Sequence, residues 1–272
     1  MMKKFFAVAT LTFSMGMLSF AQNPVINYDF GDKEASFNPN PGASSTSFLP
    51  KITLNKAIRV RVRTASDGSG AFHLVKKGAD FIKGAGLEVV AGTSTSKFSI
   101  YNLPVQNVEK ISFNVKFDDA TVGQWVFANG LSGNSDDVFQ GNSSVKETST
   151  EVFAGLRWTL SATDEINLYT RNGVKWSTVK GVSFAKNAEY LIEIYSNNST
   201  EAKKYTKDGE QTLSVGTYHV WINGKRIIKD FTSAGLEADK NLNGFVLYGV
   251  MPKGSESMVK AWFDNLEING NL

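Results

Sequence analysis

Segments in which apolar and polar residues alternate run along most of the chain. In residues 111–117 the odd positions hold Ile, Phe, Val and Phe, and the even positions are polar. This period of two buries one side of a strand and leaves the other side in water. The same pattern predicts further strands at 58–63, 86–91, 97–101, 151–160, 166–171, 174–179, 190–195, 217–222, 225–229, 244–250 and 258–268. No helical period persists, so we expect at most one short helix, near 235–240.

Asp-Gly and Asn-Gly pairs stand between many of these segments. They occur at 67–68, 129–130, 172–173, 208–209, 223–224, 243–244 and 269–270. Such residues tolerate the positive φ angles of tight hairpin turns, where other side chains clash. The pairs at 172–173 and 223–224 each lie between two predicted strands and predict two-residue hairpins with type I′ turns. Residues 130–150, rich in Ser, Asn, Asp and Gly, are expected to form a long loop.

These elements predict an all-β fold. Strands that follow one another without crossover helices pair antiparallel, and many of them bury their apolar faces by stacking two sheets. We therefore expect residues 22–272 to form one domain, a two-sheet antiparallel β-sandwich. A domain of this length buries a large core and needs no disulfide, and the chain contains no cysteine.

The first residues have the pattern of a bacterial export signal. Lys3 and Lys4 precede an apolar run at 5–20, and the small residues Ser19 and Ala21 suit cleavage by signal peptidase. We expect residues 1–21 to be removed as a signal peptide. The mature chain is then periplasmic, extracellular or bound to the cell surface, without a transmembrane segment. A retained N-terminal anchor is the alternative interpretation.

Composition excludes some classes of chemistry. The formal net charge is +3, and two of the positive charges lie in the predicted leader. A chain this close to neutrality is not held to nucleic acid by bulk electrostatics. The absence of cysteine excludes thiolate catalysis and thiolate metal sites.

The last third of the chain resembles a known superfamily. The segments that carry the resemblance are Tyr-Leu-Ile-Glu-Ile-Tyr at 190–195, Gly-Thr-Tyr-His-Val-Trp-Ile-Asn-Gly-Lys at 216–225, Gly-Phe-Val-Leu-Tyr-Gly at 244–249 and Ala-Trp-Phe-Asp-Asn-Leu-Glu-Ile at 261–268. In this order they are similar to the closing strands of concanavalin-A/laminin-G-like jelly-roll domains. The resemblance implies a concanavalin-A-like jelly roll. Because members are mostly glycan binders, glycan hydrolases or lyases, and adhesion modules, it also implies a glycan or an envelope protein as partner.

The catalytic patterns of that superfamily are absent from the sequence. There is no Glu-x-Asp-x-Glu run of the laminarinase-like hydrolases, and no Arg-x-Glu-Leu or Gln-x-His pattern of the jelly-roll alginate lyases. The acidic pairs at 118–119, 136–137 and 164–165 are adjacent residues, so their side chains would point to opposite faces of a strand. Catalysis is therefore disfavoured.

Three arginines alternate with aliphatic residues in the segment 58–63. Arg59, Arg61 and Arg63 would share one face of a strand at intervals of about 7 Å, while the residues between them enter the core. Planar guanidinium groups suit carboxylate, sulfate or phosphate groups. One hypothesis is a ladder that binds an acidic polysaccharide, uronate-rich or sulfated. The alternative is a charged outer face that keeps an edge strand soluble.

Aromatic residues supply a second candidate surface. If the residues at 218, 220 and 222 enter the core, His219 and Trp221 stand on the opposite side of their strand. A Trp on a strand is a platform for the apolar faces of sugar rings. Trp125 and Trp176 lie beside loops and would border such a cleft. The alternative is that every Trp packs in the core or against a sheet.

A structural calcium ion is the one cofactor that the resemblance suggests. In similar domains an acidic residue near the start of the last strand joins oxygens from the N-terminal segment around Ca²⁺. Asp264 is the residue at that position here, and Asp29 and Asp32 are the N-terminal candidates, because the first and last strands of jelly rolls often pair. Calcium takes six to eight oxygens. The alternative is that Asp264 only bonds its own turn.

The sequence therefore predicts an exported, non-catalytic glycan-binding β-sandwich protein with acidic polysaccharide as its candidate ligand. Two alternatives stay open. One is a polysaccharide lyase or glycoside hydrolase of concanavalin-A-like fold, which would need two ionisable groups that converge in a cleft. The other is a structural or adhesion protein of the envelope, which would show an exposed apolar patch or a long open edge strand.

Overall fold

The computed structural model describes residues 24–38, 44–64, 69–76, 86–104, 106–227 and 229–272. The predicted signal peptide at 1–21 and the Asp-Gly pair at 67–68 lie outside these ranges. Within them, every regular element is a β-strand. The described residues contain no helix with the length and hydropathy needed to span a bilayer.

The strands cover most of the described chain. In chain order they are β1 (Val25–Tyr28), β2 (Ala35–Phe37), β3 (Ser44–Ser45), β4 (Arg59–Arg63), β5 (Ala71–Val75), β6 (Gly86–Ala91), β7 (Ser96–Tyr101), β8 (Val108–Phe117), β9 (Gly123–Gly130), β10 (Val152–Leu160), β11 (Glu165–Asn172), β12 (Lys175–Ala185), β13 (Glu189–Asn197), β14 (Lys203–Thr206), β15 (Glu210–Leu213), β16 (Thr217–Ile222), β17 (Lys225–Arg226), β18 (Phe231–Thr232), β19 (Gly244–Val250) and β20 (Val259–Asn269).

Two large antiparallel sheets pack face to face. In sheet A the strand order is β17-β16-β13-β8-β20-β6-β5-β2, with β1 also paired to β20 and β18 paired to β16. In sheet B the order is β12-β11-β10-β9-β19-β7-β4-β3. The strands β14 and β15 form a separate hairpin. The predicted all-β fold, a two-sheet antiparallel β-sandwich, is confirmed.

Aromatic side chains from both sheets fill the space between them. The ring of Phe113 in sheet A lies 5.6 Å from that of Phe127 and 6.2 Å from that of Phe245, both in sheet B. Trp125 is fully buried in this core. Gly249 makes room for its indole, since a Cβ atom at that position would lie 2.5 Å from the ring. Close packing of this kind tolerates little change in volume.

The predicted turns form in part. At the β16–β17 hairpin, Asn223 and Gly224 both have positive φ, at 49° and 75°, which is the type I′ pattern. The β11–β12 hairpin differs from the prediction, because its two central residues are Gly173 and Val174 and only Gly173 has positive φ. That is the type II′ pattern. The Asn-Gly pair at 129–130 makes no turn and belongs to the buried end of β9.

The short helix expected near residues 235–240 is absent, and this part of the described chain forms turns instead. Asp239 has a φ of 60°, which interrupts a right-handed helix. The amide of Asn198 donates to the carbonyls of Glu237 and Lys240 at 2.9 and 2.8 Å. The Asn198 side chain therefore bonds two backbone carbonyls that a helix would have bonded to its own amides.

Candidate functional site

The outer face of sheet B carries two rows of side chains that cross its strands. Residues paired on neighbouring strands point to the same side of a sheet. The first row consists of Arg63, Lys97, Tyr248, Val126, Arg157 and Tyr169. The second row consists of Arg61, Ser99, Val246, Ala128, Gly155, Arg171 and Trp176. Neither row contains Asp or Glu, so both rows are positively charged.

Arg157 lies between two aromatic rings on this face. Its guanidinium carbon is 4.6 Å from the centre of the Tyr169 ring and 4.9 Å from that of Trp176. Gly155 leaves room for this arrangement, since a Cβ atom there would lie 3.3 Å from the Trp176 indole. The Arg157 Nε is buried and has no hydrogen-bond partner among the described residues. Burial lowers the pKa of Arg157, but an arginine keeps its charge in proteins.

An uncovered strip of side chains runs beside the first row, across the same strands. Its members are partly or fully exposed, and three of them carry amide or hydroxyl groups: Val250, Gln124, Thr159 and Asn167. At one end this open strip adjoins Arg157 and Tyr169. At the other end Val250 lines a cleft that also contains Arg63.

The rest of the outer face is covered by the loop of residues 131–151. Val138 and Phe139 of this loop are fully buried against apolar residues of sheet B, which makes a small second core outside the sandwich. Gly244 accommodates Phe139, because a Cβ atom there would lie 2.7 Å from its ring. The predicted long loop is therefore present, and it is packed onto the sheet.

Lys97 of sheet B holds the loop of residues 131–151, here called the covering loop, against the sheet. Its ammonium donates to the carbonyls of Val138, Gly141 and Ser143 at 3.0, 3.1 and 2.6 Å. Burial lowers the pKa of Lys97 to about 7, and the positive charges of Arg61 and Arg63 add to that effect. An ammonium that is out of water needs such acceptors to stay charged.

Other cations of the two rows hold the same loop. Arg61 donates to the carbonyl of Gln140, and Arg171 donates to that of Lys146 at 2.6 Å. The Tyr248 hydroxyl accepts a hydrogen bond from the backbone amide of Val145 at 3.0 Å. Arg61, Arg171 and the Tyr248 hydroxyl are therefore bonded within the protein.

The three arginines of β4 share the outer face as expected, while Val60 and Val62 are buried. They do not form a uniform ladder, because their guanidinium groups have different partners. Arg59 donates to the carbonyl of Ile58 at 3.2 Å, and Arg61 is bonded to the covering loop. The guanidinium of Arg63 makes no hydrogen bond or ion pair with a described residue, and Arg63 lines the cleft that also contains Val250.

The expectation that His219 and Trp221 stand on an open surface is wrong. Their exposed fractions are 0% and 2%, because the β14–β15 hairpin folds over this side of β16. Tyr205 of that hairpin joins them: its hydroxyl accepts from the Trp221 indole at 2.9 Å and bonds the His219 Nδ1 at 2.8 Å. The His219 Nε2 lies 3.0 Å from a carboxylate oxygen of Asp230. Burial lowers the pKa of His219, and the charge of Arg226 lowers it further.

The two other tryptophans of the candidate set lie in different environments. Trp125 does not border a cleft, because its side chain points between the sheets and packs against Phe263, 6.0 Å away. Trp176 lies on the outer face of sheet B and is partly exposed. Of the aromatic candidates, Trp176 is the one the fold places beside Arg157, whose Nε has no hydrogen-bond partner in the described part of the chain.

The three aspartates of the calcium hypothesis are not assembled into a site. The first and last strands do pair, β1 with β20. Asp264 is buried, and one of its carboxylate oxygens accepts from the Asn265 amide at 2.7 Å. Asp29 accepts from the Gly31 amide at 3.2 Å, and Asp32 is exposed. No group of three His, Asp or Glu in the described residues is arranged to hold a metal, so the residues present do not fit the ion.

Burial raises the pKa of Asp264 to about 6, and the nearby charges of Asp29 and Glu189 contribute. Its second carboxylate oxygen has no hydrogen-bond partner among the described residues. The carboxyl group is therefore partly protonated near pH 6.

Sequence reasoning did not select Arg157, Tyr169 and Tyr248 as site residues. Each occupies an outward position of a strand that the alternation predicted. The face that each residue occupies on its own strand was therefore predictable from the sequence. Their meeting across neighbouring strands was not, because it depends on strand order and register.

No protein-family model matches the chain, and no curated protein matches it. Solved structures match at low identity. A protein of unknown function, SO2946 from Shewanella oneidensis MR-1, aligns over 96% of this chain and 95% of its own, with 12% identity and a TM-score of 0.45. Alginate lyase AlyC3 in complex with dimannuronate aligns over 68% of this chain and 74% of its own, with 12% identity and a TM-score of 0.38.

A further match is the HCR/D F1240A mutant, of which this chain spans 45%. The alignment covers 76% of this chain, with 11% identity and a TM-score of 0.37. Likeness at this level assigns neither a family nor an activity to the chain.

Proposed function

We propose that this protein binds a polysaccharide on the outer face of sheet B without cleaving it, and that its preferred ligands carry anionic groups. The observation that carries the proposal is the guanidinium of Arg157, held between Tyr169 and Trp176 with its Nε unpaired. Two aromatic rings fix the orientation of this group before a ligand arrives, so less side-chain entropy is lost on binding. A fixed guanidinium fork suits a carboxylate or sulfate group.

The surroundings of Arg157 also suit a sugar chain. Gln124, Thr159 and Asn167 of the open strip supply amide and hydroxyl groups that can bond sugar hydroxyls. The partly exposed Trp176 and Tyr169 offer apolar surface for sugar C–H groups. The open strip leads toward Arg63, so a chain lying along it would meet a second cation.

The test is binding of the mature protein to an acidic and a neutral polysaccharide, measured by affinity electrophoresis and by titration calorimetry at low salt. We expect Arg157→Ala and Trp176→Ala each to weaken binding of the acidic chain about tenfold, the scale of one charge-assisted contact. Lys225→Ala, at the distant β16–β17 hairpin, is the matched control and should bind as the unaltered protein does. Equal binding by all four proteins would refute the proposal.

The absence of cleavage is tested in the same samples. We expect no new reducing ends and no unsaturated sugar product after prolonged incubation with any chain that binds. New chain ends would make the protein an enzyme and would overturn the non-catalytic part of the proposal.

We further propose that the protein is exported and acts outside the cytoplasm, after removal of residues 1–21. The basis is the charged, apolar and small-residue order of the leader. Mass spectrometry of protein recovered from extracytoplasmic fractions should give a chain that begins at Gln22. A full-length chain confined to the cytoplasm would contradict this.

A further inference from the structure

A polar cleft of about 520 Å³ lies at the edge of the covering loop. One wall is the end of β4, the second is the turn between β6 and β7, and the third is the segment 142–146 of the loop. The lining residues are Arg63, Thr64, Thr93, Ser94, Thr95, Asn142, Ser143, Ser144, Lys146 and Val250. None of them is acidic. The cleft therefore combines two cations with many hydroxyl groups.

Arg63 is the principal charge of this cleft. Its neighbour across the strands is Lys97, and the next outward residue on its own strand is Arg61. Both neighbours have acceptors inside the protein, whereas Arg63 has none among the described residues. Partial burial lowers the pKa of Arg63, and the charge of Arg61 lowers it further. A cation crowded by other cations gains from a bound anion.

A second unpaired donor lies next to Arg63. Thr64 also lines the cleft, and its exposed fraction is 2%. Its hydroxyl oxygen has no hydrogen-bond partner among the described residues. A buried hydroxyl without a partner costs free energy, and a shift of the Thr64 side chain toward an oxygen bound in the cleft would recover it.

We propose that this cleft is a binding site for a tetrahedral oxyanion, a sulfate or phosphate group. Donors on three walls suit a group whose oxygens point in several directions, whereas a carboxylate presents two oxygens in one plane. The group can come from a free inorganic anion or from an ester on a polysaccharide chain that follows the open strip. The cleft does not include Arg157 or the two aromatic rings around it, so this binding site goes beyond the proposed function.

The first experiment uses inorganic anions with the mature protein. We expect sodium sulfate and sodium phosphate to raise the melting temperature at constant ionic strength, because a ligand that binds only the folded state stabilises it. Sodium acetate should leave the melting temperature unchanged. Arg63→Gln should abolish the sulfate response, and Lys146→Gln should weaken it severalfold. Arg59→Gln, on the same strand but outside the cleft, should keep the full response.

Melting curves without added anion show whether each variant folds as the unaltered protein does. A variant that melts far below it is replaced by the milder Arg63→Lys, for which a reduced sulfate response is expected because a lysine lacks the guanidinium fork. The absence of any sulfate or phosphate response, an equal response to acetate, or an undiminished response in Arg63→Gln would overturn the proposal.

A second experiment separates the two sources of the anion. The affinity of a sulfated oligosaccharide and that of its desulfated form are measured for the unaltered protein and for Arg63→Gln. If the substitution lowers the affinity of the sulfated form about tenfold and leaves that of the desulfated form unchanged, the ligand group is a sulfate ester. If inorganic sulfate raises the melting temperature but the substitution does not change the affinity of the sulfated oligosaccharide, the ligand is the free anion. Arg157→Ala should weaken polysaccharide binding and keep the sulfate response, so a failure of the glycan proposal is distinguishable from a failure of this one.

Discussion

The ammonium of Lys97 donates a 2.6 Å hydrogen bond to the carbonyl of Ser143, a residue 46 positions further along the chain. With its bonds to Val138 and Gly141, this contact ties the covering loop to sheet B. The loop in turn determines which part of the outer face is open to a ligand.

Lys97→Met should loosen this loop, because three backbone carbonyls lose their donor. We expect the unfolding free energy to fall by about 2 kcal/mol. The unpaired carbonyls destabilise the folded state, and removal of the desolvated ammonium charge offsets part of that loss. Hydrogen exchange should show faster exchange in residues 131–151. Lys180→Met, at an exposed position of β12, is the control. Unchanged exchange in the loop would show that Lys97 does not anchor it.

Glu109 should make stability depend on pH. It is buried, with an exposed fraction of 1%, and it accepts hydrogen bonds from Gln106 and Asn129. Burial nonetheless raises its pKa from 4.5 to about 7. Because the folded pKa lies above the unfolded one, the folded state holds more protons between these values. Stability from this group is therefore present below pH 4.5 and is lost as pH rises through 7.

Glu109→Gln removes this titration. The unfolding free energy of the unaltered protein, relative to that of the variant, should fall by about 3 kcal/mol between pH 4.5 and pH 7.5, because each tenfold difference in proton affinity between the folded and unfolded states corresponds to about 1.4 kcal/mol. Denaturant titrations of both proteins across this range measure it. A difference that stays constant with pH would contradict the prediction.

The hydroxyl of Tyr205 should stabilise the β14–β15 hairpin against sheet A. Tyr205→Phe leaves the buried Trp221 indole N–H and the Nδ1 of His219 each without a partner, and we expect a loss of about 2 kcal/mol. Tyr195 stacks on Tyr205 at 4.0 Å between ring centroids, and no described residue bonds its hydroxyl. Tyr195→Phe is thus a matched control with little expected effect. Urea denaturation compares them, and equal losses would contradict the role of the hydroxyl.

A structural calcium ion should be unnecessary for folding. Asp29, Asp32 and Asp264 do not form a group of three that could hold a metal, so we expect the melting temperature to be the same in excess calcium and in excess chelator. Elemental analysis of the purified protein provides the second measurement. A chelator-dependent drop in melting temperature, with one equivalent of calcium bound, would restore the ion as a cofactor.

The sequence alone determined most of the longer strands, their inward and outward residues and the sandwich that follows from them, but it did not predict β9 or the β14–β15 hairpin. Alternation along a strand is a local property, so the outward placement of Arg59, Arg61 and Arg63 and the burial of Val60 and Val62 were both predictable. The tight turn at Asn223 was predictable for the same reason, since positive φ is a property of single residues.

The tertiary structure decided which outward residues meet solvent. The hairpin at residues 203–213 buries His219 and Trp221, and the loop at residues 131–151 occupies Arg61 and Lys97. Strand order brings Arg157 and Arg63 onto one face, although they are far apart in sequence. No local pattern encodes such coverage, because it depends on how distant segments pack and on the register between strands.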